Sequence, residues 1–141
     1  MSSQGKPSGE GAKSAPVTAP PKTSDQLDFE LEFFGHILDA HPGFVDVLRV
    51  QSNNLTLKGR FADGLQVDRR LVVLRPGDAL AHYNLACKFA LLRKVDLALK
   101  TLRKAVELGY RDFRFIREDR DLDAVRNDPR YRMILREFES R

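Results

Sequence analysis

Apolar residues recur along most of this chain at spacings of three and four, the interval that lines one face of an α-helix. From Asp25 onward, Leu27, Phe29, Leu31, Phe33, Phe34, Ile37 and Leu38 supply such a face, and Pro42-Gly43 breaks it. The same patterning predicts helices over roughly 45–57, 61–74, 79–92 and 95–108. Lys58-Gly59-Arg60 makes a tight turn between the first two, and Arg75-Pro76-Gly77 breaks the chain again. Asp78 is placed to cap the helix that follows, and Gly109 suits the left-handed position beyond the last of the four. Further on, Asp128 followed by Pro129 makes a good helix start, an acceptor at the cap and then a proline whose missing N–H costs nothing. Tyr131, Ile134, Leu135 and Phe138 keep the helical spacing, so this helix should lie on the preceding hairpin and cover its end.

The breakers are themselves periodic. Pro42 and Pro76 stand 34 residues apart, each followed by glycine. The same step pairs Leu55 with Phe89, Phe61 with Val95, Gly64 with Ala98, Leu71 with Ala105 and Leu74 with Leu108. A fixed period holding two helices is the signature of stacked helical hairpins. One hairpin cannot bury both its faces, so neighbours must stack into a continuous core. The expected fold class is all-α.

These residues carry a resemblance to the tetratricopeptide repeat. Ala79 to Asp112 resembles a full repeat: Tyr83-Asn84-Leu85-Ala86 matches the start, Phe89 the first-helix aromatic, and Ala98 and Ala105 the small residues of the second helix, ahead of Glu107-Leu108. Small side chains suit places where two helices approach closely. Val45 to Asp78 is a weaker copy, keeping Gly59-Arg60-Phe61, Gly64 and Leu74-Arg75-Pro76 but holding Ser52 and Leu71 at usually small positions. Residues 25–42 resemble the second helix of a preceding repeat, and 113–141 a closing segment of the kind that follows such arrays. The resemblance implies a right-handed superhelical stack over 25–141, with an N-terminal half-repeat and C-terminal capping helices.

Composition fits and narrows this picture. The chain of 141 residues is 42% hydrophobic and 31% charged, the balance of one globular domain. Residues 1–24 hold four prolines and three glycines and almost no large apolar side chain, and read as a disordered tail. No apolar run approaches the ~20 residues of a membrane span. No apolar stretch follows the N-terminal lysines as in a secretory signal. With the single cysteine Cys87, which excludes an internal disulfide, these features indicate the cytoplasm. The 24 basic residues are interleaved with 20 acidic ones, so the arginine-rich stretch from Arg111 to Arg136 reads as solvated surface and nucleic acid is disfavoured.

No catalytic constellation is legible, and no cofactor or metal is expected. His36, His41 and His82 lack the i, i+4 partner of a helical metal pair. His82 reads as a core or boundary residue and His41 as a helix C-terminal one. Cys87 reads as a small, half-buried thiol. Asp119, Asp121 and Asp123 lack the glycine and distant glutamate of a calcium loop, and cap a short helix instead. No phosphate-binding glycine motif is present.

The resemblance implies that the first helix of each hairpin lines a concave peptide-binding groove. Its candidate residues are Asp46, Arg49, Val50, Asn53, Thr56 and Leu57 from one hairpin, and Leu80, Tyr83, Asn84, Cys87 and Leu91 from the next. Some family members clamp a C-terminal carboxylate, and the matching positions here are Arg49, Asn53, Asn84 and Arg114. Glu118, at a fifth position, opposes such a ligand by its charge. The expectation is a non-enzymatic module that binds a protein or peptide, as a monomer or weak homo-oligomer; the alternative is a structural subunit that self-assembles through its stack ends.

Overall fold

The first five helices of this chain are ended by two kinds of local terminator, a following proline or a left-handed residue. The structure, a computed structural model, describes residues 20–141; the tail expected over 1–24 lies outside the described residues except for its last five. The elements are α1 (Ser24–Ala40), α2 (Val45–Leu57), α3 (Phe61–Leu74), α4 (Ala79–Leu91), α5 (Val95–Glu107), α6 (Phe113–Glu118), a 3-10 turn (Arg120–Leu122) and α7 (Pro129–Glu139). No strand occurs among the described residues, so the chain is all-α there. No helix among them is long and apolar enough to cross a membrane.

α1 and α3 end ahead of a proline. A residue before proline is steered away from helical backbone, and the C-cap residues His41 and Arg75 share φ −134° with ψ of 74° and 70°. α2, α4 and α5 end differently, by turning left-handed. Gly59, Arg93 and Gly109 take φ of +78°, +60° and +119°. Behind each of them the chain closes the paired backbone bonds of a Schellman motif, such as Arg60 N–H to Leu55 O at 2.8 Å and Lys94 N–H to Phe89 O at 2.9 Å. The 34-residue step thus survives in backbone conformation, from His41 to Arg75 and from Gly59 to Arg93.

α1 starts earlier than its apolar pattern indicated. Thr23 and Gln26 form a reciprocal capping box, and Lys22 reaches Glu30 at 2.7 Å and Asn54 at 2.8 Å. Residues 22–24 therefore belong to the helical domain, a correction to the tail boundary at 24. The helix also stops at Ala40, short of 42, because Pro42 disfavours helical backbone at His41.

Short connections make consecutive helices antiparallel neighbours, and α1 packs on α2, α2 on α3, α3 on α4 and α4 on α5. The apolar core is lopsided. Its main body joins α4, α5 and the closing elements, with Tyr83, Leu102, Val106, Ile116, Leu122 and Val125 fully buried. Ala86, Ala98 and Ala105 are likewise wholly buried. The closing segment is held by Arg126, which donates to the carbonyls of Ile116, Arg117 and Asp119 and to the Tyr131 hydroxyl. Toward α1 the connected apolar core narrows to a small cluster of Leu48, Leu71 and Ala81 with partly buried neighbours, and Leu27, Leu31, Val47 and Leu55 are buried as well. Buried polar residues (Gln51, Ser52, Asn54, Asp68 and Lys88) fill the space that remains.

Candidate functional site

Four side chains expected in a groove converge on one small concavity. Arg49, Asn53 and Thr56 follow one another on α2 at helical spacing, and Asn84 faces them from α4. Ser52, Asp68, Leu71 and Lys88 complete its lining. The enclosed space is about 10 Å³, room for roughly one water. No small molecule fits inside, so any ligand of this face must lie across it.

The charges of this face are already matched. Arg49 pairs with Asp78 at 2.5 Å, and the same carboxylate caps α4 by accepting from the Ala81 N–H at 3.1 Å. Burial pushes the Asp78 carboxyl up, but the hydrogen bonds from Arg49 and Ala81 and the charge of Arg49 outweigh it and hold the group below its ordinary value. Deeper in, Lys88 pairs with Asp68 at 3.0 Å, the two side chains 4% and 1% exposed. Ser52 Oγ donates to Asp68 Oδ1 at 2.5 Å and accepts from Lys88 Nζ at 3.3 Å. Gly64 makes room for this arrangement, since a Cβ there would lie 2.7 Å from Lys88 Cε.

The carboxamides are the uncommitted groups. Among the described residues neither Asn53 nor Asn84 shows a side-chain hydrogen bond, and the buried Asn84 Oδ1 has no partner. A carboxamide offers an acceptor and two donors.

The other expected groove residues lie elsewhere. Leu80, Tyr83 and Cys87 are at most 3% exposed and belong to the core, which corrects their assignment to an open groove. The cause is the closing segment, which packs over this side of α4. Tyr83 stacks on Tyr110 with ring centroids 4.2 Å apart, and its hydroxyl donates to Asp119 Oδ2 at 2.7 Å. Burial above all, then the neighbouring Cys87 and Asp119, push that hydroxyl far above its ordinary value. Cys87 Sγ lies 3.6 Å from the same Asp119 oxygen, so the thiol is fully buried rather than half-buried. Asp119 also caps the 3-10 turn through the Asp121 N–H, as the capping reading of this acidic run requires.

Arg114 is not brought to the concavity either. It is 89% exposed on the short α6 and pairs with Glu118 one turn on, so two expected clamp positions neutralise each other. His82 is half-buried, with Nε2 2.9 Å from the Pro76 carbonyl oxygen. No group of three or more metal-ligating side chains comes together among the described residues. The residues that sequence reasoning missed are Ser52, Asp68, Asp78 in its pairing role, and Lys88. One signal was available: Asp68 stands between Leu65 and Leu71 on the buried face of α3, and Lys88 interrupts the most apolar helix of the chain.

No protein-family model matches the chain, and no solved structure matches it. A stretch of 61 residues, 43% of the chain, is 36% identical to a chloroplastic protein of Arabidopsis thaliana. That stretch spans 18% of the length of the Arabidopsis protein.

Proposed function

We propose that the chain is a non-enzymatic protein-interaction module of tetratricopeptide-repeat type, which lays an extended peptide segment across the face shared by α2 and α4. In this reading α2 with α3 and α4 with α5 are its two hairpins, α1 is a half-repeat, and α6 and α7 close the stack. The 34-residue recurrence of the helix terminators supports the repeat reading. The observation that carries the binding reading is the pair of uncommitted carboxamides, Asn53 and Asn84, on a face whose cations are internally paired. A peptide backbone alternates donors and acceptors and matches such groups, whereas an anion would need a free cation. The ligand is thus an internal segment rather than a terminal carboxylate. A cytoplasmic setting fits the lone buried cysteine; the name of the Arabidopsis relative assigns that protein to the chloroplast.

The test is selection from a displayed library of random peptides, followed by titration of the winners against the full chain. Asn84→Ala should weaken them by about 1–3 kcal/mol through lost hydrogen bonds. Free and amidated C-termini should bind alike. Winners indifferent to both Asn53→Ala and Asn84→Ala would overturn the site, and a strong preference for a free carboxylate would restore the clamp.

A further inference from the structure

Among the described residues, α1 is covered on one side only. Leu27 and Leu31 are buried against the rest of the domain, while Phe29 and Phe33 are 67% and 51% exposed on the opposite side. Their rings stack with centroids 6.0 Å apart, and Phe34 meets Phe33 edge-on at 5.4 Å. Adjacent exposed aromatics of this size, on a side of the helix that none of the described residues covers, mark an interaction surface.

The outer face has a definite register. Gln26, Phe29, Phe33, His36 and Ala40 are all exposed and alternate spacings of three and four, the spacing of a two-helix seam, with Phe29 and Phe33 as its two large apolar residues. The positions just before the first, third and fifth seam residues are Asp25, Glu32 and Asp39, all exposed carboxylates seven residues apart. α1 carries no lysine or arginine of its own. Lys22 neutralises Glu30 and Lys58 neutralises Asp28. Asp25, Glu32 and Asp39 show no ion pair among the described residues. The seam is therefore edged by an acidic row that no cation among the described residues neutralises.

That row decides the occupant. A second copy packed antiparallel would set Asp25 against Asp39 and Glu32 against Glu32, and a parallel copy would bring the row no lysine or arginine, since α1 carries none. An anionic lipid surface would meet the same carboxylates with like charge. A helix with an apolar seam and lysines or arginines beside it meets aromatic with apolar and carboxylate with cation. We propose that the outer face of α1 docks a basic amphipathic helix of a partner protein, independently of the face shared by α2 and α4.

The experiment titrates the full chain with two labelled helical peptides that share one leucine seam, one with lysine and one with glutamate at the flanking positions, read by fluorescence anisotropy. The lysine peptide should bind about tenfold or more tightly than the glutamate peptide, and rising salt should erode the difference. Glu32→Lys/Asp39→Lys should reverse the preference. Phe29→Ser/Phe33→Ser should weaken the lysine peptide by about tenfold or more with an unchanged circular dichroism spectrum, and Asn84→Ala should leave it unaffected. The proposal is overturned if both peptides bind alike, or if the charge-reversed variant keeps the original preference. It is also overturned if light scattering shows a dimer that the double Phe variant converts to monomer, the second-copy outcome, or if uncharged vesicles bind through the two Phe residues, the lipid outcome.

Discussion

Replacing Lys88 by methionine removes an ammonium that is 4% exposed and leaves Asp68, 1% exposed, with the Ser52 hydroxyl as its remaining partner among the described residues. Methionine retains most of the aliphatic stem, so little cavity opens beside Gly64 and the cost is electrostatic. Stripping one partner from a buried pair costs about 3–5 kcal/mol, because the remaining charge stays desolvated without compensation. Against a total stability of about 5–15 kcal/mol for such a domain, the loss should lower the melting temperature by roughly 10–20 °C. The companion variant Ser52→Ala/Asp68→Leu/Lys88→Met removes every member of the network and should return to within about 2 kcal/mol of the parent, or exceed it. Urea and thermal unfolding followed by circular dichroism measure both. A loss below about 1 kcal/mol for Lys88→Met, or a triple variant no more stable than the single one, would refute the view that the network is a closed unit whose members need one another.

Two further outcomes follow from the caps. Arg93 holds the left-handed conformation, φ +60°, that Gly59 holds 34 residues earlier; Arg93→Gly relieves about 1–2 kcal/mol of strain and loses about 0.4–1 kcal/mol to unfolded-state entropy. A small rise in the urea midpoint is therefore expected, and a fall would show that the Arg93 side chain contributes more than its backbone costs. Asp78 titrates in the folded protein below the 3.8 of an unperturbed aspartate. Its charged form thus stabilises the fold fully above about pH 4, and that contribution drains as acid carries the pH below 3.8 toward the lowered value. Asp78→Asn should lower stability near neutrality and flatten the loss below pH 4, and an acid limb that keeps its slope would exclude Asp78 as a source of it.

Helix positions were legible because their terminators are local. A proline after His41 or Arg75, and a glycine at 59 or 109, act within one turn, so α2 and α3 fall where the pattern put them and the others shift by a residue or two. The start of α1 lies one residue ahead of the apolar pattern because a Thr-Gln capping box and a reach by Lys22 carry no apolar signal. The candidate site was half legible. Arg49, Asn53, Thr56 and Asn84 could be placed from repeat offset because the offset fixes which helix face a residue occupies. The offset does not say what covers that face. Tyr83 and Cys87 are buried by contacts with Asp119, 36 and 32 residues away, in a segment outside the repeat. The pairing of Lys88 with Asp68, 20 residues back, is equally non-local: each charge was visible in its helix, its partner was not.

Residues 45–78, the weaker match at the 34-residue step, have one physical explanation for several of their departures from 79–112. At a step of 34, Ser52 stands where 79–112 has Ala86, Gly64 where it has Ala98, and Asp68 where it has Leu102. Within 79–112, Ala86, Ala98 and Leu102 are wholly buried among apolar neighbours. Within 45–78, the aspartate needs a cation, which Lys88 supplies across the boundary between α3 and α4. The stem of that lysine needs space, which Gly64 leaves, and the second carboxylate oxygen needs a donor, which Ser52 provides. Changing any one of them alone to its counterpart in 79–112 would strand the others: leucine at 68 leaves a buried ammonium, and alanine at 52 removes a donor from a buried carboxylate. The departures are thus one coupled exchange of apolar packing for a closed polar junction. Because the junction is neutral as a unit, it lines the concavity without offering it a free cation.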